Sequence, residues 1–117
     1  MALTDGPRTA EFLLSEADGW RSRDSATVTV AANTTLKPGQ VLEVSSAKYI
    51  TLATTNNAAG ILYGALTNST AAPVDMKGVV IVRDAEVRTA SLIGIGTAAP
   101  AAGAIAALRV LGVIARP

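Results

Sequence analysis

The stretch that most constrains the fold runs from Ala58 to Leu66, AAGILYGAL, where small residues and bulky aliphatics alternate around Gly60 and Gly64 with one aromatic, Tyr63. It is too short to specify a helix. Its glycines suit a strand that lies close to another backbone, either a neighbouring strand or a partner subunit. Ile61, Leu62 and Tyr63 are therefore candidate core or subunit-contact residues.

What surrounds that strand must be built from small material. Half of the 117 residues are hydrophobic but only 3% are aromatic, so the interior falls to Ala, Val, Ile and Leu. A chain of this length makes one domain that buries about two thirds of its unfolded surface. At roughly 25 cal/mol per Å2, an alanine-rich interior leaves an isolated subunit marginally stable. The mean hydropathy of +0.39 is high for a small soluble monomer. Apolar surface shared between subunits reconciles the two.

The flanking sequence is read as mostly β. Residues 1–25 are polar and punctuated by Gly6-Pro7 and Asp18-Gly19, as in an arm outside a core formed by 26–117. Yet they hold Phe12 and Trp20, two of the four aromatics. Either the rings fold back on their own domain or they anchor a partner. Ala26 to Ala32 alternates Val28 and Val30 with Thr27 and Thr29, a half-buried strand. Lys37-Pro38-Gly39 has the proline and glycine of a type II turn. Strands are expected at Val41–Val44 and Tyr49–Ala53. Another, buried on both faces, is expected at Lys77–Val82, with Asp84–Val87 continuing it after a bend. Leu92 to Gly103 reads as a loop turning helical near Ala101. Ala104–Leu111 is the one helix, with Ile105, Leu108 and Leu111 on one face and Gly112 as its cap, and Val113–Ala115 is a last strand.

Several function classes are disfavoured. The net charge is +1 and the cations are scattered, so no footprint for nucleic acid is present. Residues 89–108 carry no charge, but Gly94, Gly96, Pro100 and Gly103 among Ala and Thr argue against a membrane span. The first dozen residues lack the pattern of a secretory signal. With no His and no Cys, the common general base, the thiol nucleophile and the usual transition-metal ligands are missing. Ser45 and Ser46 near Lys48 have no supporting context. Glu11, Glu16 and Asp18 lie in the arm. Glu43, Asp84 and Glu86 read as solvent-facing charges or partners of Arg83 and Arg88. Gly94-Ile95-Gly96-Thr97 lacks the Lys-Ser or Lys-Thr of a phosphate loop. No enzyme and no cofactor is expected.

Four segments, in this order and spacing, carry a resemblance. They are EFLLSEADGWRSRDSATV from Glu11, the central AAGILYGAL, VVIVRDAEV from Val79, and ALRVLGVIAR from Ala107. Together they resemble the head decoration proteins of lambda-type tailed phages over about Glu11 to Arg116. Arg88-Thr89-Ala90 departs from the family, standing where an Asn-Gly turn is typical.

The resemblance implies a compact, mainly β domain, β-clip or β-tulip-like, with one short C-terminal helix and an extended N-terminal arm. It implies a non-enzymatic protein of the virion, on the outer capsid surface after assembly in the host cytoplasm. The expected partners are the major capsid protein and two further copies in a homotrimer, with no direct contact to nucleic acid or membrane. Glu11, Phe12, Leu13, Leu14, Trp20, Arg21, Arg23 and Asp24 are the implied capsid-binding arm. Leu108 and Leu111 join Ile61, Leu62 and Tyr63 as core or subunit contacts. The alternative is a small β module that recognises a glycan or peptide, with Tyr49, Tyr63 and Trp20 as its aromatics.

Overall fold

The computed structural model describes residues 12–16, 22–53, 55–95 and 100–117. Five strands close into a barrel: β2 (Arg23–Val30), β5 (Lys48–Thr51), β4 (Val41–Ser45), β6 (Ala58–Leu62) and β8 (Val74–Ile81), in that order. All neighbours are antiparallel except β2 and β5, which meet in parallel at Val28 and Tyr49. A second sheet places β9 (Ala85–Arg88) between β1 (Leu13–Glu16) and β10 (Val113–Arg116). β3 (Thr34–Leu36) pairs with β7 (Leu66–Asn68), and one helix, α1 (Ala102–Val110), precedes β10.

Two cores explain why the strand sequences are continuously apolar. One fills the barrel with Val28, Val30, Leu36, Leu42, Leu62, Val80 and Val82. The other lies between the barrel wall, the three-stranded sheet and α1, and holds Phe12, Val41, Ile61, Ile81, Val87, Leu108 and Val113 among others. Side chains on a strand alternate between faces. Successive residues Val41-Leu42, Ile61-Leu62 and Val80-Ile81 thus go to different cores, and strands covered on both sides lose their polar alternation.

Gly60 is where the central strand needs its glycine. A Cβ there would stand 2.5 Å from a methyl of Val80 and 3.1 Å from the carbonyl oxygen of Ile81. The close partner is β8 of the same barrel.

The predicted turn also forms. Gly39 has φ +94°, and the Gln40 N–H donates to the Lys37 carbonyl at 3.1 Å, as a type II turn requires. A Cβ at Gly39 would lie 2.4 Å from the Ser91 carbonyl oxygen. The turn thereby admits the segment around Ile93, whose N–H donates to the Gly39 carbonyl and whose own carbonyl accepts from Val41 N–H.

Other expectations change. The strand from Lys77 does not continue past a bend within one sheet. Asp84 takes φ +47° and hands the chain from the barrel to the second sheet, where β9 starts. α1 begins at Ala102 and ends as predicted on Gly112, φ +89°. It turns Ala104 and Leu108 fully inward and leaves Ile105 and Leu111 half-buried, because alanine lets the helix approach the barrel closely.

Residues ascribed to an arm join the body of the domain. β2 runs unbroken through residue 25, in register with β8 from Arg23 opposite Ile81 to Val30 opposite Val74. Phe12 is 0% exposed. In a core of small aliphatics a phenyl ring fills volume that Ala and Val cannot.

Candidate functional site

The candidate surface is where the N-terminal strands meet the rest of the domain. Phe12 sinks into the outer core, and its carbonyl accepts the Arg88 N–H at 2.7 Å. This fixes β1 beside β9, with Leu13 opposite Val87 and Glu16 opposite Ala85. A register shift between Leu13 and Ser15 leaves Leu13 packed on the core and Leu14 45% exposed. Leu14 is the apolar side chain this edge presents outward.

Glu16 holds the start of β2. Its carboxylate takes a bidentate pair from Arg23, one arm of it Nε to Oε2 at 2.9 Å, and the Arg23 guanidinium lies 4.1 Å from the centre of the Tyr63 ring. Glu16 beside it holds the Arg23 pKa above the usual guanidinium value. Planar stacking on one face and a carboxylate on the edge use both recognition modes of arginine. One residue on, Asp24 accepts both terminal nitrogens of Arg83 at 3.1 and 2.9 Å. Buried Ser22 donates its hydroxyl to the Asp84 carbonyl at 2.8 Å, tying the segment to the sheet crossover.

The expected site residues therefore divide. Arg23 and Tyr63 come together. Asp24 stands nearby in its own pair, and Leu13 and Leu14 lie on β1. Ile61 and Leu62 point into separate cores, while Leu108 on α1 is buried and Leu111 at its C-cap is half-buried. Phe12 is core. Glu11, Trp20 and Arg21 lie outside the described residues.

Carboxylates read as surface charges also divide. Glu86 bonds Arg116 and the Ser15 hydroxyl, and these partners hold its pKa below the ordinary carboxylate value. Glu43 is buried, accepting the Ala53 N–H at 2.6 Å. It shares the face of Val41 two residues earlier, which the outer core covers, so alternation carries it inward despite its charge. Among the described residues no group of three or more His, Cys, Asp or Glu forms a metal-binding cluster, and no helix is long and apolar enough to cross a membrane.

The sequence reading missed Gln40. It is 7% exposed, and its Nε2 donates to the Gly94 carbonyl at 3.0 Å. The signal was a polar residue between a turn glycine and an apolar strand.

Paired charges, two aliphatic cores and an edge strand showing one leucine define a β-rich structural protein. More particularly, the chain belongs to the bacteriophage lambda head decoration protein D family, whose model matches residues 2–113. It is thereby a phage head decoration protein, a constituent of the virion capsid. No curated protein and no solved structure matches the chain.

Proposed function

We infer that this protein binds the outer surface of the expanded capsid as trimers at local threefold sites. There it stabilises the shell against the pressure of packaged DNA. The observation that carries the reading is the family match across residues 2–113. Self-association is supported by the outer face of α1, where Ala102, Ala106 and Val110 are exposed, Val110 by 87%. Arg109 is the one charge on α1, and the apolar residues beside it form the kind of exposed patch that a protein contact covers.

Attachment proceeds through the N-terminal segment, which adds as a strand to an exposed sheet edge of the major capsid protein. Ladder bonds give affinity, and side chains give register. Because Phe12 and β1 belong to the body, the segment that does this lies ahead of Phe12, with Trp20 and Arg21 as a second contact. Ordering each backbone residue costs about 1–2 kcal/mol, so attachment draws on several copies at once.

Cosedimentation with expanded, empty heads of the matching phage tests this, comparing the intact chain, a chain beginning at Glu11, and Trp20→Ala. The intact chain should pellet at threefold-site stoichiometry. The other two should stay in solution while melting like the intact protein. Failure of the intact chain to pellet overturns the role. Pelleting of the shortened chain moves the contact into the β domain.

A further inference from the structure

A cavity of about 430 Å3 opens where the Lys37-Pro38-Gly39 turn and β3 face the end of β5 and Ile93. Its apolar wall is Leu36, Leu52 and Ile93, the two leucines buried. Of its polar groups, the Thr34 hydroxyl donates to the Ala32 carbonyl and the Thr35 hydroxyl pairs with that of Thr67, while three others are uncommitted. Gln40, more than nine-tenths buried, spends Nε2 on the carbonyls of Gly94, Ile93 and Val41, which fixes the amide's orientation. Its Oε1 has no hydrogen-bond partner among the described residues and remains open to the cavity. Lys37 at the rim is exposed and carries no ion pair among the described residues, and the Thr51 hydroxyl on the opposite side is likewise unengaged.

Gln40 Oε1 is thus an acceptor that a molecule entering the cavity can reach. Here it stands beside an apolar wall and beneath a free cation. A ligand that satisfies all three brings an N–H, an aliphatic body and an anion. An extended peptide brings them together as its backbone amide, a Leu, Ile or Val side chain, and a neighbouring Asp or Glu. A neutral sugar has no charge for Lys37, and no aromatic ring lines the cavity for it to stack on.

We propose that this cavity is a docking socket for an acidic-aliphatic peptide segment of the shell protein, with Gln40 Oε1 accepting its backbone N–H and Lys37 pairing with its carboxylate. The source of the peptide rests on the decoration reading, while the chemistry of the socket does not. The socket is a second contact on the β domain, separate from the N-terminal segment.

Two exposed positions test it without touching Gln40. Lys37→Glu reverses the rim charge, and Thr51→Trp fills the cavity with an indole. Both variants should melt like the unaltered protein and bind expanded heads at least roughly tenfold more weakly, the scale of a lost interfacial charge pair. In parallel, short overlapping peptides spanning the shell protein are titrated into the labelled protein. An acidic-aliphatic member should shift the methyl signals of Leu36, Leu52 and Ile93, and should not do so in Thr51→Trp. If heads capture both variants like the unaltered chain and no peptide moves those methyls, the socket is refuted and decoration stands. If the unaltered chain fails to bind heads, decoration falls and the peptide titration alone decides the socket. Shifts at those methyls from oligosaccharides but not from peptides also overturn the proposal.

Discussion

Phe12→Ala separates a core ring from a capsid anchor. The ring is fully buried among Val87, Leu92, Val113 and neighbours, and its Cβ lies 3.6 Å from where a side chain on Gly39 would begin. Truncating a buried phenylalanine to alanine costs about 3–5 kcal/mol, the transfer term plus a cavity that the surroundings fill only in part. Its backbone bond to Arg88 survives, so β1 keeps its register. Unfolding entropy of about 2.1 cal/mol/K per residue gives roughly 0.25 kcal/mol/K for a chain of 117 residues. The melting temperature should therefore fall by about 12–20 °C. Calorimetry at one fixed protein concentration reads this, because the proposed self-association would make the midpoint concentration-dependent. Cosedimentation is then run well below both midpoints, where the variant is folded and should still decorate heads. A variant that melts within about 4 °C of the unaltered protein, yet no longer binds heads, refutes the burial argument.

Two further outcomes follow from local geometry. Gly39→Ala puts a Cβ on a residue with φ +94° and into the Ser91 carbonyl oxygen, so it should cost at least about 2 kcal/mol in chemical denaturation. It should also speed amide exchange at Ile93, whose N–H bonds Gly39. The second concerns acid. Lys48 and then Thr29 hold the Asp75 carboxyl below its ordinary 3.8, and Arg116 and then Ser15 hold Glu86 below 4.5. Depressed carboxylates stabilise the fold fully above their unfolded values, and the contribution is lost as pH falls through the lower folded values. The melting temperature should thus hold from neutrality to about pH 5 and drop below about pH 4. Asp75→Asn should shrink that drop, and an undiminished drop would remove Asp75 from the account.

What could be read from the sequence was whatever local chemistry decides. Lys37-Pro38-Gly39 and Gly112 name their own backbone angles, and a β-branched run such as Val79-Val80-Ile81-Val82 favours a strand covered on both faces. The rest depends on distant partners. β1 exists because Phe12 finds a core and Leu13 finds Val87. β3 is three residues long and owes its form to β7. The barrel closes where Val28 meets Tyr49, a parallel contact that no turn announces. The sequence leaves Phe12 open as core ring or partner anchor, and only its packing decides for the core. Of the candidate surface, Arg23, Asp24 and Tyr63 are legible in the sequence, but the pairings with Glu16, Tyr63 and Arg83 are not, since pairing across strands follows register rather than proximity in sequence.

The two-core design links stability to assembly. Splitting a modest aliphatic interior into two clusters covers β4, β6 and β8 on both sides, and among the described residues only Phe12 adds a large ring that is fully buried. Meanwhile Leu14 on β1 and Val110 on α1 remain exposed. Burying these on a neighbour or on the shell adds free energy that the isolated subunit lacks. Anything that binds only the folded state raises its apparent stability by mass action. On the proposed reading, a decoration layer built this way would gain stability as it forms, and a higher melting temperature on heads than in solution is the expected outcome.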